Sequence, residues 1–386
     1  MDFQLNEEEQ AVVEMCTQFG ETEITPRIRE LEDAHELPRD VLKKMADLGL
    51  LTMTISEEDG GSSLGPLAYA LAIKSIAKAD AGLAVTMSVT NMVIEAIRKF
   101  GRPEQYNKYI PQLASGDMIA AAFALTESMA GSNPMEMRTK ATIDPNDGDY
   151  FLLNGEKIFI SHGDASGIII VMAKTDPALG GRGITAFLVE PEDEGFAVGK
   201  KEEKMGILTS STVSLNFDNC RVHKSRILGE LGKGLNIAFS SLDSGRIGIS
   251  AQAIGIAEAA FEAAASYATE RFQSGKKIIE HQGIQFKLAD MLTKLNACRM
   301  MLYQAVSLKA AGQPFTQEAA MAKLFCTENC NQITYDAIQV FGGYGYIKEY
   351  PVEKYYRDAR INTIYEGTSE IQKIVIGRGI MNSFSQ

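Results

Sequence analysis

The sequence contains no tryptophan, and only five of its 386 residues are cysteine and four histidine. The cysteines (Cys16, Cys220, Cys298, Cys326, Cys330) are scattered and odd in number. That argues against a disulfide framework and suits a reducing compartment. Cys326 and Cys330 share a face of a probable helix, but none of the histidines (His35, His162, His223, His281) lies near them in sequence. A metal centre there lacks its further ligands, so buried structural thiols are expected. No apolar run approaches the ~18 residues that a membrane helix needs. The first residues, Met1-Asp2-Phe3-Gln4-Leu5-Asn6-Glu7-Glu8-Glu9, are acidic where a signal peptide is basic and then apolar. A cytoplasmic location without membrane insertion is therefore expected. Positive charge is also short: 38 Lys+Arg against 50 Asp+Glu give a net charge of −12. An overall field of that sign disfavours nucleic acid as a partner. GxGxxG after a strand and GxxxxGK[ST] are both missing, so nucleotide binding through those devices is unsupported.

What is present is ordinary globular composition, 45% hydrophobic and 23% charged, with length for two or three domains. Residues 1–118 read as helical, punctuated by Pro26, Pro38, Pro66, Pro103 and Pro111. A Gly-rich loop at 57–63 precedes a helix expected to start near Pro66, because Pro is tolerated in a first turn. Residues 119–230 change texture. Tyr150 to Ile160 reads as strand, Asn154-Gly155 turn, strand. Ile168-Ile169-Ile170-Val171, Ile184 to Val189, and the alternating Val213, Leu215 and Phe217 read as further strands. Their close spacing predicts a small antiparallel sheet or barrel. Residues 231–386 are helical again. Leu288, Met291, Leu292, Leu295, Cys298, Leu302 and Val306 mark one face of a long helix.

Three segments carry candidate chemistry. Thr126-Glu127 with Ala130-Gly131-Ser132 sets hydroxyls and backbone donors in a loop just before the β region. Such a loop suits a polar cofactor or an ordinary turn. Phe341-Gly342-Gly343-Tyr344-Gly345 suits a helix end or a close approach of backbone to phosphate. Tyr365-Glu366-Gly367-Thr368-Ser369-Glu370 places a carboxylate before Gly-Thr-Ser. Two readings stand: a helix N-terminus capped by Thr368 or Ser369, and a general base at Glu366.

Taken together, the chain resembles the acyl-CoA dehydrogenase family, closest to its short-chain members. The resemblance rests on Phe123 to Ser132, Leu153 to Lys157, Asp243-Ser244-Gly245-Arg246-Ile247-Gly248, Glu270 to Lys276, Gln339 to Gly345 and Tyr365 to Ser369, in the family's order and spacing. It implies an α+β multidomain fold: a helical domain over 1–118, a β-barrel over 119–230 and a four-helix bundle over 231–386. It further implies a homotetramer with FAD, a short- or medium-chain acyl-CoA substrate and electron-transfer flavoprotein as partner. By residue matching, Glu366 is the base that removes the α-proton of the thioester. Leu125, Thr126, Ser132, Phe159, Ser161, Thr368 and Glu370 are implied on FAD. Arg271, Gln339 and Gly343 are implied on the FAD of a neighbouring subunit. Ser132, Asp243, Arg246, Tyr365 and Gly367 are implied on the substrate. No metal is implied.

Some positions depart from the family pattern. Phe159 stands at a usual tryptophan, His162-Gly163 at a usual Asn-Gly, and Ser274 at a usual phenylalanine. Glu127-Ser128 and Ser132-Asn133 replace Glu-Pro and Ser-Asp. His162 is a candidate for tuning flavin charge near physiological pH. The same site run in reverse, as an enoyl-CoA reductase, is the alternative activity. A flavoprotein scaffold that binds without turnover is a reading from another class.

Overall fold

The computed structural model describes residues 4–385. Helices come first: α1 (Glu7–Phe19), α2 (Ile28–Ala34), α3 (Arg39–Asp47), α4 (Pro66–Ala79), α5 (Ala81–Phe100) and α6 (Pro103–Ala114). Asn6 opens α1 with a capping box, accepting from Glu9 N at 2.8 Å while Glu9 Oε2 accepts from Asn6 N at 2.9 Å. That satisfies donors which a first turn leaves free. α4 begins at Pro66, as the sequence predicts. α5 is buried around nearly its whole circumference, which is why it shows no polar stripe.

Eight strands follow: β1 (Ala121–Ala124), β2 (Lys140–Asp144), β3 (Asp147–Ser161), β4 (Ile168–Lys174), β5 (Ile184–Val189), β6 (Phe196–Lys201), β7 (Thr212–His223) and β8 (Ile227–Leu228). They form one sheet in the order β6-β7-β3-β2-β4-β5-β8, with β1 also on β4. The expected barrel is not formed. β6 and β8 remain edges, and β8 is only two residues long, too short to close the sheet. β2 and β4 join at one residue pair, Lys140 with Lys174. The sheet folds over at that joint, so Leu153, Leu215 and Val222 share a core with Val171, Phe187 and Val189. It is also mixed, since β1 and β2 run parallel to β4. Asn154-Gly155 is not a hairpin turn. It lies inside β3 at a register shift, where a side chain at Gly155 would come 2.5 Å from Thr139 Oγ1. A bulge rather than a turn satisfies that glycine. The opposite face of β4 and β5 packs on α5 and α6 through Val93, Ile97, Ile110 and Leu113. Burial on both faces explains the continuous apolar runs.

The chain ends in α7 (Gly234–Glu270), a short hairpin of β9 (Phe272–Gln273) and β10 (Lys276–Lys277), then α8 (Gln282–Ala310), α9 (Thr316–Phe341), α10 (Val352–Ala359) and α11 (Ser369–Phe384). α7, α8 and α9 pack on one another, and α11 lies along α9. The predicted face of α8 is buried at Met291, Leu295, Cys298, Leu302 and Val306, while Leu292 flanks it and stays exposed. All five cysteines are buried and free, and among the described residues no group suits a metal ion. No described helix is long and apolar enough to cross a membrane.

The two helical blocks are not separate bodies flanking the sheet. α4 and α5 pack on α7, and one core runs from Ile73 and Met87 to Ile254, Leu302 and Ile333. A buried ionic junction fastens it. Lys354 Nζ on α10 lies 2.9 Å from Asp80 Oδ2 and 2.6 Å from Asp358 Oδ2. Asp80 also caps α5, accepting from Leu83 N at 2.8 Å, and accepts from the Thr209 hydroxyl. Asp358 accepts from Ile207 N at 2.6 Å. Three stretches distant in sequence are thus pinned at one point.

Candidate active site

Glu366 occupies the turn between Arg360–Thr363 and α11. Its φ is 54° and that of Gly367 is 89°. Gly367 adopts that region freely, whereas a glutamate there costs about 1–2 kcal/mol. Side chains from two helices offset the cost. Gln372 Nε2 donates to Glu366 O at 3.2 Å and to Gly367 O at 2.7 Å. Lys323 Nζ, on α9, donates to Gly367 O at 2.8 Å. Thr368 caps α11, accepting from Ile371 N at 3.4 Å, and Glu370 lies exposed in its first turn. The capping reading and the base reading therefore describe one turn.

The Glu366 carboxyl faces inward, and its Oε2 is enclosed without a hydrogen-bond partner. Burial pushes its pKa up to about 7, against the pull of the Arg246 and Lys323 charges. A carboxyl that titrates near neutrality is matched to proton abstraction. Arg246 is buried on α7, bonded to Asp243, with its Nε unpartnered. Asp243 also accepts from the Thr316 hydroxyl at 2.6 Å. The Tyr365 hydroxyl lies 3.0 Å from Gln252 Oε1 and 2.9 Å from Asn362 Oδ1. Glu366, Arg246, Asp243, Tyr365 and Gly367 are thereby gathered around α7.

Gly245 makes room for the carboxylate. A Cβ there would lie 2.6 Å from Glu366 Oε2 and 3.2 Å from Met92 Sδ. Gly245→Ala should therefore displace Glu366 and lower kcat on the order of 100-fold while leaving the melting temperature almost unchanged. Steady-state kinetics beside a thermal melt check this.

A second group lies along the sheet. Ile158 N donates to Thr126 O at 2.9 Å, bringing Leu125 and Thr126 beside the end of β3. Between Lys157 and Ile160 the pairing with β7 shifts by one residue. The bulge puts Phe159 at φ 57°, with the residue 62% exposed. Bulges re-aim side chains in this way. The Thr126, Ser132 and Ser161 hydroxyls donate to no described residue. Beneath them Lys157, fully buried, reaches Leu125 O at 3.0 Å and Glu127 Oε1 at 2.7 Å. Glu127 also accepts from Arg138 N and, at 3.1 Å, from Thr139 N. This ion pair is the support of the Thr126 loop.

His162 is the correction here. It is buried, with Nε2 3.0 Å from Ala121 O, and burial pushes its pKa down to about 4. It is neutral at physiological pH and does not act as a charge switch there.

The third group is a cavity of about 450 Å³ lined by Arg271, Gln273, Gly343, Tyr344, Tyr267 and Phe341 among others. Arg271 makes no ion pair among the described residues and lies 5.3 Å over the Tyr344 ring. Gln339 is exposed on α9 outside this lining. α9 ends at Gly342 with φ 63°, so the glycines do end the helix. Ser274 and Gly275, both at positive φ, make the two-residue turn of the β9–β10 hairpin. The lining contains none of Leu125, Thr126, Ser132, Phe159 or Ser161.

Family models describe the same three-part order. Residues 6–117 match the acyl-CoA dehydrogenase N-terminal domain, 122–220 the middle domain and 232–381 the C-terminal domain. The chain belongs to the acyl-CoA dehydrogenase family. Its members are flavoprotein oxidoreductases acting on the CH–CH bond of acyl-CoA. The chain is 44% identical to an acryloyl-CoA reductase (NADH) of Anaerotignum propionicum, covering 99% of this chain and 96% of that one. The structure of butyryl-CoA dehydrogenase from Megasphaera elsdenii superposes with a TM-score of 0.96 at 42% identity, covering 99% and 100% of the two chains. A chain from the structure of the electron transferring flavoprotein of Acidaminococcus fermentans also gives 0.96, at 42% identity and the same coverage.

The residues present fit the family's flavin. Free hydroxyls at Thr126, Ser132 and Ser161 suit the polar atoms of an isoalloxazine edge. The unpaired Arg271 beside a glycine pair suits a pyrophosphate. Sequence reasoning named these but missed Lys323, Gln372 and the Lys157–Glu127 pair as supports. One signal was available: Lys323 is a charge on the face marked by Ala319, Ala322 and Cys326, where a helix otherwise buries apolar residues.

Proposed function

We propose that the protein is an FAD-dependent dehydrogenase of short-chain acyl-CoA thioesters that passes electrons to an electron-transfer flavoprotein. The observation that carries this reading is Glu366. Its carboxylate is enclosed beside Gly245 and titrates near neutrality. It removes the α-proton of the bound thioester. The backbone N–H of Glu366, fixed by the bonds on its own and the next carbonyl, donates to the thioester oxygen and stabilises the charge that develops there. Arg246 and Asp243 hold the CoA portion, and Tyr365 walls the acyl chain. When bound, FAD supplies the two-electron acceptor that takes the β-hydride. Leu125, Thr126, Ser132, Phe159 and Ser161 hold it from one subunit, supported at the far end by Thr368 and Glu370. Arg271, Gln339 and Gly343 hold it from a neighbour in a homotetramer. Two separate groups of cofactor residues in one chain support that division. A cytoplasmic setting is in keeping with the bacterial relatives.

A short acyl chain is favoured by the floor of the site. One helical turn beyond Gly245, a Cβ at Gly248 would lie 2.2 Å from Ser88 Oγ and 3.1 Å from the Tyr69 hydroxyl. Ser88 and Tyr69 are themselves 3.2 Å apart and buried. On this reading that close packing limits the depth open to an acyl chain. The named butyryl-CoA dehydrogenase neighbour supports the same size class.

The second reading, an enoyl-CoA reductase, is favoured by the 44% identity to acryloyl-CoA reductase. An anaerobic visible spectrum titrated with butyryl-CoA separates the two. Bleaching of the oxidised flavin band is the expected result. If the band survives every saturated ester while dithionite-reduced protein is reoxidised by an enoyl ester, the reductase reading replaces the first.

A further inference from the structure

Lys323 is a cation where its helix otherwise packs apolar side chains. It is fully buried, yet no carboxylate lies within ion-pair distance of it among the described residues. Among the described residues the ammonium's one hydrogen bond goes to a backbone carbonyl, that of Gly367 at 2.8 Å. A buried charge spent on one carbonyl is costly, and the fold itself gains little from it. The turn it holds is the one that carries Glu366 at φ 54°.

We propose that Lys323 is a positioning residue for the base, holding the Glu366–Gly367 turn in its left-handed conformation and supplying positive charge behind the carboxylate. The proposal rests on the reading of Glu366 as base. Gln372 grips the same two carbonyls from α11, so the turn is held from two helices. Release of the α9 contact frees the Gly367 carbonyl and so loosens the left-handed turn that sets the position of Glu366. The electrostatic role follows from what surrounds the pair. Arg246 faces Glu366 and Lys323 from α7, Glu328 faces Lys323 from α9 itself, and Glu370 does so from α11. Tyr69 on α4 faces Glu366 as well as Glu95 on α5. Met92 on α5 adds only apolar surface. Arg246 and Lys323 are the two charges that oppose the burial cost of the Glu366 carboxylate. Burial presses the Lys323 pKa down to about 8, so the cation persists where Glu366 titrates.

The sign is fixed. Activity needs ionised Glu366, so kcat/KM rises with pH through the carboxyl's pKa. Removal of a neighbouring positive charge raises that pKa. In Lys323→Met holoenzyme the acid limb of kcat/KM should move up by about one pH unit, and the plateau should fall on the order of 10–100-fold. Lys323→Arg, which keeps the charge, should hold the limb at its wild-type position. A role in packing alone would lower the melting temperature of the Met variant and leave the limb where it was, and that result overturns the proposal. Should Lys323→Met fail to fold, Lys323→Gln, which keeps an N–H for the carbonyl and loses the charge, carries the same comparison. Glu366→Gln, assayed in parallel, separates the two ideas. If it retains activity, the base assignment fails. If it is inactive and the uncharged Lys323 variant keeps the wild-type limb, only the role of Lys323 fails.

Discussion

Replacing Glu366 with Gln should lower turnover of butyryl-CoA by roughly 10⁴-fold, the upper range for removal of a general base, while the purified protein stays yellow. The amide preserves shape, so substrate and flavin sites remain intact. On the proposed reading, what it removes is the group that accepts the α-proton. The wild-type kcat/KM should fall as pH drops below about 7, where burial has placed the carboxyl. Stability should move the other way. A carboxyl whose pKa is raised on folding penalises the folded state once it ionises, so the cost grows as pH rises from the ordinary 4.5 through about 7. Glu366→Gln should therefore melt higher than wild type at pH 8, and the difference should vanish below pH 4.5. Kinetics at pH 6–9 and melts at pH 4 and 8 test both halves. A variant with near wild-type turnover would remove Glu366 from the mechanism.

Replacing Lys354 with Met should destabilise the protein by about 3–5 kcal/mol, the range for deleting one partner of a buried ionic group. The Asp80, Lys354 and Asp358 side chains are at most 4% exposed. Methionine fills the volume but leaves two carboxylates facing each other without a counter-charge. The damage should spread, because Asp80 caps α5 and Asp358 holds the 207–209 segment. A triple variant that also carries Asp80→Asn and Asp358→Asn should recover part of the loss, since the unpaired charges are gone. The lysine's pKa is raised well above its ordinary 10.5 by the two aspartates. Its contribution is therefore complete at neutral pH and fades only as alkaline pH climbs past that value. Chemical denaturation of the single and triple variants at pH 7 gives the comparison.

Much of the local structure was legible from sequence because it depends on neighbours along the chain. Pro66 opens a helix, Gly342 ends one and Thr368 caps one, each through backbone groups within a few residues. The face of α8 follows from a 3.6-residue period. The motif segments pointed to Glu366, Arg246 and the Thr126 loop in the same way. Asn154-Gly155 went astray for a related reason. The dipeptide suits a type I′ turn, but Thr139, just before β2, crosses so close that the glycine is needed within a continuous strand. The missing barrel closure has the same origin. Strand count predicts a sheet, but whether its edges meet depends on the lengths of β6 and β8 and on the single pair joining β2 to β4.

By itself the sequence determined the helix–strand–helix order, the absence of metal-ligand and membrane-span patterns, and the identity of the carboxylate set before Gly-Thr-Ser. Those are properties of residue type and spacing along one chain. The tertiary structure decided which groups do their work together. Gly245, Lys323 and Glu366 are far apart in sequence, and only the packing of α7, α9 and the last turn brings them to one carboxylate. It also decided charge. His162 looks like a switch in sequence and is neutral in place, whereas Glu366, a candidate base in sequence, is raised by burial to titrate near 7. Burial sets both, because the free energy of an ionised group depends on the medium around it, and that medium exists only once distant segments have packed.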